Sequence, residues 1–212
     1  MYRTGPIEKY VADAAAGIPA PGGGSVSALA GALGASMASM AANFTVGKKK
    51  FADVDAEARA ILGRCEAGRN RLLELMDRDV AAYGTVSAAY GMPRDTAEQK
   101  AARAAAIQEA LKVALAEPLE AFRECLALLC QLERLVEVAN PNLISDVGVA
   151  AILIEAALRG AKINVEINLA SLKDAAFVAA TRKEVDEGAA EAANSAAAVI
   201  QRVYQKMGWP PA

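Results

Sequence analysis

Apolar residues recur every three or four positions along most of this chain, and nowhere do they alternate as a half-buried strand requires. That spacing predicts helices near Pro6 to Ala16, Ser25 to Phe44, Asp53 to Tyr90, Thr96 to Ala139, Asn142 to Asn168 and Leu172 to Met207. Breaks rich in Gly, Pro or Asn separate them, at Gly17 to Gly24, Thr45 to Ala52, Gly91 to Asp95 and Asn140-Pro141. Pro93 and Pro141 mark helix ends, because proline disfavours helical geometry in the residue before it. Ser25 and Asp53 stand where N-caps are expected, as do Asn142 and Ser145 for the following helix. Pro118 lies inside a helical stretch, where its missing amide hydrogen predicts a kink or break. The stripes continue on either side of it, through Ile107, Leu111 and Leu115 and then Phe122, Leu126 and Leu129. With no repeat and no linker, the expectation is an all-α bundle of long helices in a single domain, residues 1–212.

One stretch asks for more burial than a lone chain easily gives. From Leu143 to Leu158 nearly every helix face is apolar, with Ser145, Asp146 and Glu155 as the interruptions. All-round hydrophobicity implies burial on all sides. A homodimer joined through apolar helix faces would supply it, two-fold dimers being the commonest oligomers.

Composition narrows the chemistry. Of 212 residues 54% are hydrophobic and 23% charged, a globular balance, while aromatics at 5% favour close helix packing over an aromatic-rich core. A net charge of −2 gives no general attraction to nucleic acid or to an anionic membrane. Histidine is absent, which excludes Ser-His-Asp and Cys-His mechanisms and the common His-based zinc sites. Proton transfer must then use Asp, Glu, Lys, Tyr or a thiol. Cys65, Cys125 and Cys130 form no CxxC pair and are expected as small core residues of a reducing compartment. No secretory signal is visible, so the cytoplasm is the expected location. The uncharged run from Ile18 to Gly47 is long enough to test as a membrane span, but its Ala, Gly and Ser fit a buried central helix better.

Candidate site residues fall in five places. Pro19-Ala20-Pro21-Gly22-Gly23-Gly24-Ser25 offers a glycine loop where backbone can approach a ligand closely or adopt positive φ. The helix after it ends at Val46-Gly47-Lys48-Lys49-Lys50, a basic exit that is either a solvated loop or a site for an anionic tail. The loop is neither a P-loop nor a dinucleotide fingerprint, since the GxxxxGK[ST] spacing and a preceding strand are both missing. Asp79 interrupts an apolar stripe formed by Leu72, Met76, Tyr83, Val86 and Tyr90, whereas Asp77 points elsewhere. A carboxylate on a buried face is costly unless paired or functional, so Asp79 is either half of an ion pair with an arginine or a proton-transfer group. Tyr83, one turn on, either shares a hydrogen bond with it or fills core. Asp146 is a helix-start acid or a second proton donor. Asn164 and Asn168, one turn apart among apolar residues, bridge helices or bind a heterocycle.

Together with Asn140 to Gly148, Arg159-Gly160-Ala161 and Asn164-Val165, these segments form an ordered set. The set resembles the cyclodeaminase/cyclohydrolase family, the C-terminal domain of formiminotransferase-cyclodeaminase and its stand-alone bacterial methenyltetrahydrofolate cyclohydrolase relatives. The resemblance runs from about the first helix to the last. It implies an all-helical, homodimeric enzyme acting on a one-carbon tetrahydrofolate adduct, with no permanently bound cofactor, no metal, and no nucleic-acid or membrane partner. Two activities are implied: hydrolysis of 5,10-methenyltetrahydrofolate to 10-formyltetrahydrofolate, or ammonia-releasing ring closure of 5-formiminotetrahydrofolate. A third expectation from a different class is a folate-binding helical protein without turnover. On the enzyme readings Asp79 and Asp146 carry protons, Gly22, Gly23, Gly24 and Ser25 contact the ligand, and Tyr83 lies beside it. Lys48, Lys49 and Lys50 face the glutamate tail, and Asn140, Asn142 and Asn164 read the pterin edge.

Overall fold

The apolar spacing is realised as helices in the expected order: α1 Ile7–Ala15, α2 Gly23–Asn43, α3 Asp55–Tyr90, α4 Ala97–Val138, α5 Ile144–Leu169 and α6 Ala175–Met207. The structure, a computed structural model, describes residues 1–209. Among these residues there is no strand. Short 3-10 turns, Lys49–Val54 and Pro141–Leu143, lead into α3 and α5.

Helix α2 is the axis of the bundle. It packs against α3 on one side and α5 on the other and also touches α4, while α6 covers α5 and α4. Its lack of charge follows from that position: Ala28, Ala32, Ala35, Ala38, Ala41 and Ala42 are all buried. Its small residues let the neighbouring backbone come close. A Cβ added to Gly34 would stand 3.1 Å from the Ala150 carbonyl oxygen and 3.2 Å from the Ile154 nitrogen. By length and hydropathy α2 could also cross a membrane, but here it is the core helix.

Several local expectations are corrected. Pro118 does not break α4, which runs unbroken over 42 residues. Burial of Pro118 among Leu119, Ala121 and Phe122 holds the helix together across the lost hydrogen bond. Ser25 is not an N-cap: α2 starts two residues earlier, with Gly22 at the cap position. Asp53 falls inside the 3-10 turn, and Val54 precedes α3. Ahead of α5, Asn140 caps the 3-10 turn, its side-chain oxygen accepting from the Asn142 N–H at 3.1 Å, while Leu143, at the cap position of α5, makes no side-chain capping bond. Of the three cysteines, Cys65 and Cys125 are buried, and burial pushes both thiols up to about 12. Cys130 instead lies at the surface.

Candidate active site

Asp79 belongs to α3 but meets the first turn of α2. The Ser25 backbone N–H donates to its Oδ2 at 2.9 Å, which uses one of the four amides that a helix start leaves free. No arginine pairs with it among the described residues, so the ion-pair alternative is not realised. Two side chains fix the turn that holds it. Ser25 Oγ donates to the Met76 carbonyl at 2.9 Å and lies 2.9 Å from the Tyr10 hydroxyl of α1. Ser25 is fully buried, so its side chain is scaffold, while its main chain grips the acid.

Gly23 and Gly24 are explained by closeness, not by backbone sign. Positive φ occurs at Gly47 and Gly208, not at Gly22, Gly23 or Gly24. A Cβ on Gly24 would come within 2.2 Å of Asp79 Oδ1, and one on Gly23 within 3.3 Å of Asn164 Oδ1. Only a bare backbone lets α2 start between the acid of α3 and the amide of α5.

These groups line a pocket of about 350 Å³ with Pro19, Tyr83, Val86, Ala114, Ile167 and Asn168. Asp79 is its one acid, and no base lines it. Asn164 Nδ2 donates to the Gly160 carbonyl at 2.8 Å and Asn168 Nδ2 to the Asn164 carbonyl at 2.9 Å. Both amides thereby present their side-chain oxygens as the remaining acceptors. The lining also includes Ala114, whose carbonyl loses its intrahelical donor because Pro118, four residues on, has no N–H. Tyr83 makes no bond to Asp79 among the described residues and is half exposed at the rim. Larger hollows, of about 540 and 510 Å³, lie between α4 and α6 and beside Met1. Glu137 in the first is tied to Arg202 and Lys206, and Glu74 in the second pairs with Arg3 and Arg71.

Burial pushes the Asp79 carboxyl above the ordinary carboxylate range, and the negative charge of Glu117 pushes it the same way. The Ser25 N–H opposes both without cancelling them. Glu117, on α4, escaped the sequence reading because the stripe around Pro118 drew attention to helix breaking. Its signal was available: an acid flanked by the apolar positions Leu115, Pro118 and Leu119.

The structure divides the residues singled out in the sequence into two groups. Gly22, Gly23, Gly24, Asp79, Tyr83 and Asn164 gather around the N-terminal end of α2. Lys48, Lys49, Lys50, Asn140, Asn142 and Asp146 gather at the other, beyond the full length of α2, about 30 Å for its 21 residues. There the Asn140 N–H donates to Thr45 Oγ1 at 2.9 Å, and its Nδ2 donates to the Phe44 carbonyl at 3.3 Å. Asn140 thus fastens the α4–α5 turn to the end of α2. Asp146 occupies the first turn of α5, about 27 Å of helix rise from Asn164.

A family model described as formiminotransferase-cyclodeaminase matches residues 6–187. The chain belongs to that family. It is 42% identical over 199 residues to a methenyltetrahydrofolate cyclohydrolase of Methylorubrum extorquens, covering 94% of each chain. It is 36% identical over 198 residues to the formimidoyltransferase-cyclodeaminase of Sus scrofa, matching 93% of this chain and 37% of that longer protein. A crystal structure of formiminotetrahydrofolate cyclodeaminase from Thermotoga maritima superimposes with a TM-score of 0.77 at 32% identity, over 96% of both chains.

Proposed function

We propose that this protein hydrolyses 5,10-methenyltetrahydrofolate to 10-formyltetrahydrofolate. The observation that carries this reading is the end-to-end likeness to a cyclohydrolase of equal extent. A pocket whose one charged group is a proton-accepting acid supports it.

The substrate's bridging carbon is part of a cationic amidinium. Held beside Asp79, it gains from the carboxylate's charge, and the same carboxylate can take a proton from the attacking water. The water oxygen bonds to the bridging carbon and its proton passes to Asp79. The bond from that carbon to N5 then breaks as N5 takes this proton, the remaining hydroxyl proton is released to solvent as the carbonyl forms, and the formyl group remains on N10. A carboxyl with raised proton affinity suits both directions of transfer. The free oxygens of Asn164 and Asn168 and the Ala114 carbonyl are acceptors suited to the N–H edge of a pterin.

The second group of residues has a place in this reading only if two chains meet. Leu33 on α2 is 51% exposed, and on α5 Ile152, Ile163 and Ile167 are 53%, 69% and 70% exposed. A homodimer across this α2–α5 face buries them. If the two α2 helices run antiparallel about the two-fold, each glycine-loop pocket lies beside the lysine run and Asp146 of the second copy. The pocket's own lining carries no cation for a glutamate tail, and that arrangement provides one. Three free cysteines suit the reducing cytoplasm.

The Thermotoga maritima relative, of equal extent, favours a second reading: closure of 5-formiminotetrahydrofolate with release of ammonia. One experiment separates the readings. Purified protein is given methenyltetrahydrofolate, whose near-ultraviolet absorbance is followed, and in a parallel tube 5-formiminotetrahydrofolate, with ammonia measured. Faster loss of absorbance than in buffer, without ammonia release in the second tube, is the expected result. Ammonia release without hydrolysis would replace the first reading with the second, and silence in both tubes would leave folate binding without turnover.

A further inference from the structure

Among the described residues, the acid of α4 behind the pocket is the most deeply buried carboxylate. Glu117 is 7% exposed, and groups buried so deeply are normally held by several donors. It has one: Arg78 Nη2 donates to its Oε1 at 2.8 Å. Its Oε2 is buried with no partner. Immediately after it comes Pro118, inside a helix that would be more stable without a proline. Two destabilising choices therefore sit side by side on α4, one turn beyond Ala114, which lines the pocket with Asp79.

Arg78 is the chain neighbour of Asp79, and its guanidinium pairs with Glu117 and not with that acid. No other cation pairs with Asp79 among the described residues. Of the groups around it, Tyr10 comes from α1, Asp77, Arg78 and Tyr83 from α3, and Glu117 from α4, while α2 and α5 line the pocket with no titratable side chain. Asp77 itself is engaged by the Tyr2 N–H at 2.6 Å.

We propose that Glu117 is a positioning residue: by engaging Arg78 and standing as a second negative charge behind the pocket, it keeps Asp79 a proton carrier instead of a fixed counter-ion. The role in turnover rests on the hydrolase reading, but the effect on Asp79 does not.

The test is a titration of the Asp79 carboxyl by carbon-13 NMR in aspartate-labelled full-length protein, the signal being assigned by its loss in Asp79→Asn. Glu117→Gln keeps an acceptor for Arg78 and removes the charge. The Asp79 midpoint should then fall. An unmoved midpoint overturns the proposal. Should Glu117→Gln not fold, Arg78→Met leaves Glu117 in place and unscreened, and the midpoint should rise; no change there overturns the proposal equally. The acid limb of the pH profile for methenyltetrahydrofolate hydrolysis should move with the NMR midpoint, with the plateau rate less affected. A uniform loss of rate at every pH, with no shift of the limb, would mark Glu117 as merely structural. Absence of turnover in the unaltered protein would sink the hydrolase reading while leaving the titration to decide on Glu117.

Discussion

Burial of the Asp79 carboxyl costs the fold stability at neutral pH. Folding raises its proton affinity, so the stability linked to this group is fully present below the ordinary carboxylate range and is lost as pH rises through its raised value. Asp79→Asn keeps an acceptor for the Ser25 N–H and removes the charge. It should therefore melt at a higher temperature than the parent at pH 7.5, an advantage that shrinks toward pH 4, as calorimetry at the two pH values would show. The same change should lower hydrolysis at least ~100-fold, the lower range for general acid–base catalysis. Gly24→Ala tests placement without touching the acid. The new methyl would stand 2.2 Å from Asp79 Oδ1, so the carboxyl must shift away. A displacement of about 1 Å can cost ~100-fold in rate. We expect kcat to fall steeply in this variant, with helical circular dichroism retained.

At the scale of elements, the close approach of α2 and α5 is made by glycine. Gly34→Ala would place a carbon 2.6 Å from Ile154 Cγ1 as well as against the α5 backbone, so side-chain rearrangement alone does not relieve it. Overpacking of this kind costs about 1–3 kcal/mol, readable as a lower urea midpoint at unchanged slope. Existence and order of the helices were legible because their apolar positions follow one period over tens of residues. The starts of α2, α3 and α5 were not. Sequence reasoning assigned Ser25 and Asp53 to capping because isolated helices reward side-chain caps. Here Ser25 is drawn one turn inward, bonding to Met76 and Tyr10, and a 3-10 turn takes up Asp53. Pro118 fails as a breaker for the same kind of reason: tertiary burial outweighs one missing hydrogen bond.

On the scale of the whole molecule, the two groups of candidate residues lie at opposite ends of α2, about 30 Å apart along its axis, and the proposed homodimer would reunite them. Ile152 stands 53% exposed on α5 in the single chain. Ile152→Lys should shift sedimentation at micromolar concentration from dimer to monomer and weaken use of long polyglutamate substrates more than of the monoglutamate. A monomeric parent protein would remove the shared-site arrangement while leaving Asp79 and its pocket untouched.

By itself the sequence determined the all-helical class, the burial of the small-residue helix, and the singular standing of Asp79 on a greasy stripe. Each follows from local periodicity, which a linear chain displays in full. The tertiary structure alone decided which candidates share a pocket. It brought Asp79, Gly24 and Asn164 together from three helices, sent the lysine run to the far end, and revealed Glu117 behind the site. The physical reason is that desolvation and charge act through space. Residues 54 apart, such as Ser25 and Asp79, become hydrogen-bond partners, while Gly24 and Lys48, joined by one straight helix, are held apart by its rigidity.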